Sequence, residues 1–151
     1  MGDTSEILSF IRARLDEDEQ AAMRAAGTFG GDAVWRRNTL ADPDYPADHV
    51  LVIFQRVIPA GLPGDDEAPL RVDELDHIAG HDPARVLAEV NAKRRILERH
   101  PGATATDECP GCSAWLDGTW RTPPGTLCPE QVDMALPYAG HADYRPEWRP
   151  T

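Results

Sequence analysis

The chain lacks most of what would mark a membrane protein, an exported protein or a serine hydrolase. Its longest clean apolar run is Val50–Phe54, far short of the roughly 18–20 residues a spanning helix needs. No secretory signal reads from the N-terminus, where Glu6 comes early and the acid run Asp16–Glu19 follows; a signal peptide would be apolar there. Both absences point to the cytoplasm. Serines number only three, Ser5, Ser9 and Ser113, and none sits in a nucleophile-elbow context. Bases are outnumbered, 15 against 26 acids, for a net charge of −11. That balance argues against direct nucleic-acid binding, which needs clustered Lys and Arg, and against anionic membrane surfaces. Cysteines are few and odd in number, three, so a disulfide framework would leave one over.

What is present fits one domain over 1–151, since 151 residues is the length of a single domain. Apolar residues make up 41%, and 14 prolines with 12 glycines imply much turn and loop. Residues 3–26 read as a helix: Asp3 is a candidate N-cap with Glu6 in the first turn, and Ile7, Leu8, Ile11, Leu15, Ala22, Met23 and Ala26 recur at helical spacing. Gly27–Gly31 is a turn, and no Lys-Ser/Thr follows to make it a phosphate loop. Ala33–Leu40 and His49–Ile58 read as two strands of an antiparallel hairpin joined by the Pro/Asp-rich loop Ala41–Asp48. Pro59–Pro69 reads as an exposed loop. Asp73–Ala79 suggests a short helix. Asp82-Pro83 then opens a second long helix running to His100, with an N-cap acid, proline at the first helical position and a basic far end. Packed antiparallel, that basic end would meet the acids of helix 3–26. A short helix from Pro129 to about Tyr138 follows, with Val132, Ala135 and Leu136 as its apolar face, and the proline-rich tail 142–151 reads as extended. The expected fold class is α+β: the two long helices sandwich the hairpin, and a zinc knuckle over 100–128 pins the C-terminal third.

The knuckle rests on spacing. His100-x8-Cys109-x2-Cys112-x15-Cys128 matches the zinc pattern in which a C-x2-C pair is completed some 15–20 residues later. Two residues between cysteines let both sulfurs face one ion across a tight turn, and Pro110-Gly111 supplies it. Cys128-Pro129 would place the third sulfur at a helix start, where the dipole favours thiolate. His100 is the expected fourth ligand, with His141, His81 and His77 as alternatives; Gly80 breaks the helix between the last two. Four protein ligands make a closed, structural Zn2+ site. Against this stand three unrelated reduced cysteines, a redox C-x2-C, which wants a βαβ context not read here, and an iron–sulfur cluster, which usually wants four cysteines. An open site would hold water, with Glu108 or Glu130 as general base. Trp115, Trp120, Tyr138, Tyr144 and Trp148 would cap the metal and cover the hairpin, or form an exposed binding patch. His49 reads as structural or exposed.

Several stretches together resemble a known family, the small actinobacterial and phage proteins described as domain of unknown function 6221. They are Phe10–Glu19, His77–Val90, Ala92–Leu97 with His100, Cys128-Pro129, Ala135–Ala139 and His141–Trp148. The resemblance implies a compact protein with a Cys-x2-Cys knuckle and supplies no activity, substrate or partner. The chain departs from the family pattern by a long Trp-containing insertion between Cys112 and Cys128.

The functional expectation is a non-enzymatic, zinc-stabilised binding or regulatory module acting through an unknown protein partner. Its rivals are a zinc-dependent hydrolase with an open metal site and an acidic inhibitor that mimics nucleic acid.

Overall fold

The computed structural model describes residues 4–28, 33–38, 50–53, 56–59, 72–102, 109, 111–112 and 127–150. Asp3, His49, Glu108, Ser113, Trp115, Trp120, the turn residues 29–31, the loop Ala41–Asp48 and residues 60–69 of the expected exposed loop lie outside these. Four α-helices are described: α1 (Thr4–Thr28), α2 (Val72–Gly80), α3 (Pro83–Arg99) and α4 (Pro129–Ala135). Three strands lie between α1 and α2: β1 (Arg36–Asn38), β2 (Val50–Ile53) and β3 (Arg56–Pro59). Two 3-10 turns, Leu136–Tyr138 and Pro146–Trp148, follow α4.

The α+β sandwich expected from the sequence is corrected. The described chain is mainly helical, with helices of 25, 9, 17 and 7 residues against strands of three, four and four. The stretch His49–Ile58 is not one strand of a two-stranded hairpin. It is divided between β2 and β3, which run antiparallel with Ile53 opposite Arg56, while β1 meets β2 with Arg36 opposite Val52. The helix that packs on β1 and β2 is α2. The reason is physical: β-branched content marks extended backbone, but it does not mark where an extended stretch reverses.

The chain divides into two compact units, residues 18–89 and residues 1–17 with 90–151. In the first, the predicted start of α3 is present. Buried Asp82 accepts the Arg85 N–H at Oδ1, 2.8 Å, and the Trp35 N–H at Oδ2, 3.2 Å. One carboxylate thus caps a helix and ties down the segment before β1. Leu75 of α2 is fully buried.

In the second unit, α1 contributes Ile7, Phe10, Ile11 and Leu15, and α3 contributes Val90 and Leu97. Ile7, Ile11 and Leu15 belong to the helical spacing read in residues 3–26; Phe10 does not, and Met23, which does, is 55% exposed. Arg94 of α3 reaches Asp16 of α1 at 2.7 Å, an opposite-charge pair of the kind expected between these helices. The tail differs from expectation. Proline suits the first position of a tight helical turn, and Pro146 begins one. That turn buries Trp148, and Tyr144 is buried just before it. Their rings stand 5.1 and 5.9 Å from that of Phe10. The aromatics therefore pack on α1. Arg145 grips both carboxylate oxygens of Glu6, which fixes the tail to the start of α1.

Candidate metal centre

Three segments converge beyond the end of α3. His100 extends that helix by donating its N–H to the Ile96 carbonyl, 2.9 Å. The chain then turns through Gly102, whose φ of 91° is the left-handed conformation that favours glycine. A second turn brings the Cys112 N–H to the Cys109 carbonyl, 3.0 Å. Cys128 stands at the start of α4, its carbonyl accepting from Gln131 and Val132, and Pro129 occupies the first helical position.

His100 Nδ1 and the three Sγ atoms all lie within 4.8 Å of one another, and this group could hold a metal ion. The His100 Nδ1 to sulfur distances are 3.3 Å to Cys112, 3.7 Å to Cys128 and 3.9 Å to Cys109. Cys128 Sγ is 3.2 Å from Cys112 and 3.8 Å from Cys109. Donors held about 2.3 Å from a tetrahedral ion stand about 3.8 Å apart, so the set has the size of a coordination tetrahedron. The sulfurs are too far apart for a disulfide, and all three are buried free cysteines.

The backbone admits this packing only because of two glycines. A Cβ at Gly111 would lie 2.2 Å from the Arg99 carbonyl oxygen and 2.7 Å from His100 Nδ1, a donor atom itself. A Cβ at Gly102 would meet Gln131 Nε2 and Thr4 Cγ2 at 3.0 Å. Gln131, fully buried, donates from Nε2 to the His100 carbonyl at 2.7 Å. It locks the helix end that carries the imidazole.

The sulfurs differ electrostatically. Burial acts to raise the Cys109 pKa, yet the backbone N–H groups of Cys112, Gly102 and Gly111 are hydrogen-bonded to it and leave it lowered. At Cys128 burial wins: with Cys112 and Glu130 acting in the same sense, it pushes the thiol well up. The Gln131 N–H at the start of α4 acts in the opposite, lowering sense. Glu130 Oε2 accepts from Cys112 at 2.9 Å and from Cys128 at 3.2 Å. The Cys112 contact above all holds that carboxyl below its usual range.

The alternative histidines lie elsewhere. His141 packs against Arg14 at 2.8 Å and accepts the Asp143 N–H at Nδ1. His77 and His81 are exposed, and His81 Nδ1 donates to the His77 carbonyl. Sequence reasoning missed Gln131 and gave Glu130 no part in the donor group. The buried face of α4 is Gln131 and Ala135, while Leu136, expected inside, is 43% exposed. A glutamine two residues after a Cys-Pro helix start offers no sequence signal for its partner, a carbonyl 31 positions away.

Among the described residues, no helix is long and apolar enough to cross a membrane. A model of a family of unknown function (DUF6221) matches residues 4–150, and the chain belongs to that family. No curated protein and no solved structure matches the chain.

Proposed function

We propose that the protein is a small binding or regulatory module whose second unit is held together by one structural zinc ion, and that it acts through a protein partner. The observation that carries this reading is the convergence of His100, Cys109, Cys112 and Cys128 at tetrahedral spacing. Three thiolates and an imidazole are the soft, borderline donors zinc prefers, and four of them close the coordination shell. A closed shell leaves no position for a substrate, which favours a binding role over hydrolysis. The net charge of −11 favours a protein partner over nucleic acid.

Elemental analysis of the purified chain, with native mass spectrometry, tests this. One zinc per chain is the expected result. Cobalt exchanged into the site should give a tetrahedral thiolate spectrum that added anions leave unchanged. A bare polypeptide whose cysteines are freely alkylated in the native state would overturn the proposal.

A further inference from the structure

Glu130 is a charged side chain in contact with the donor group, and the four donors are complete without it. Its Oε2 stands 2.9 Å from Cys112 Sγ, 3.2 Å from Cys128 Sγ and 3.6 Å from His100 Nδ1. One oxygen thus sits over the triangle formed by three of the four donors. Exposure separates it from them: the Glu130 side chain is 44% exposed and that of His100 is 14%, while the three cysteines are buried. Glu130 therefore joins solvent to sulfur.

From this geometry we infer that Glu130 is the exchange ligand of the centre, the carboxylate through which a divalent cation enters and leaves. The inference rests on the zinc reading above. A carboxylate over one face of this donor group would offer a divalent cation an additional oxygen donor on its way between solvent and the buried thiols. Its negative charge also draws a cation from solvent toward the buried thiols. A group that acts chiefly on that passage speeds loading and release alike and changes the equilibrium less than the rates. Mounted in the first turn of α4, two residues from Cys128, the carboxylate needs no rearrangement of the backbone to act. The centre is accordingly a structural site built to trade its ion quickly.

The test uses the full-length, zinc-loaded chain and its Glu130→Gln variant. Zinc content per chain is measured first, then stopped-flow transfer of zinc to a chromophoric chelator and the reloading of metal-free protein with zinc. The variant should keep one zinc per chain, with a competition affinity that falls by less than either rate. Both its transfer and its loading should slow by roughly tenfold, about 1.4 kcal/mol on each barrier. Glu130→Asp, which keeps the charge on a shorter arm, should recover part of the rate. Unchanged rates with zinc retained would overturn the exchange role and leave the structural site standing. Loss of zinc from the glutamine variant would overturn it in the other direction, since Glu130 would then be a permanent ligand. If the wild-type chain itself binds no zinc, the zinc reading fails, and this inference fails with it.

Discussion

The unit formed by residues 1–17 and 90–151 contains two cores of opposite character. Around Phe10, the rings of Tyr144 and Trp148 close on α1 and are held by buried apolar area and edge contacts. Around His100, the buried groups are three sulfurs, an imidazole and the Gln131 amide. The first core rests on aromatic packing, in which pairs add about 0.5–1.5 kcal/mol each beyond the area they bury, and it includes none of the four donors. The second is built of polar and sulfur groups, and on the zinc reading its stability depends on the bound ion. A chain with only 41% apolar residues thus splits the work between an unconditional core and a conditional one.

Breaking the conditional core should give the largest effect. Cys112→Ser removes one donor, and structural zinc contributes on the order of 10 kcal/mol to folding. The variant should lose its zinc and most hydrogen-exchange protection at His100, Cys112 and 131–135, and chelator should do the same to the wild type. An unchanged melting temperature would refute the structural role. Breaking the unconditional core should cost less and ignore the chelator. Phe10→Ala should lower stability by about 3–5 kcal/mol, with zinc content unchanged and the same difference measured with or without excess zinc. A sharper cut is Gly111→Ala, which touches no donor yet drives a methyl into the Arg99 carbonyl and His100 Nδ1. Zinc affinity by chelator competition should fall by roughly 10–100-fold, as with other changes to the surroundings of a metal centre. The smallest effect should come from the other unit. Asp82→Ala removes the cap of α3 and should cost about 1 kcal/mol in denaturant melts, with no change in zinc content.

The same contrast explains what could be read from the sequence. Ile7, Ile11 and Leu15, at helical spacing, gave α1, and Asp82-Pro83 gave the start of α3; both signals are local. The spacing of the cysteines and His100 is also local arithmetic, because a C-x2-C turn and a helix end leave few ways to orient their donors. The two-strand reading fails because β-branched residues stand at both ends of Val50–Ile58, while its division depends on pairing across the sheet. The α4 face was misjudged for a related reason. Gln131 is buried because of the His100 carbonyl, a long-range partner no periodicity encodes. The tail went astray because its prolines were taken to exclude any helical turn, whereas Pro146 begins one.

The short approach of Cys112 to Cys128, 3.2 Å between sulfurs, carries a consequence for the fifteen residues strung between them. Their two ends meet at a fixed point, so their number is almost free to drift: doubling such a span costs only about 0.6 kcal/mol of closure entropy. Lengthening this span is therefore cheap. The same span is a natural insertion point for a foreign peptide or a fluorescent reporter.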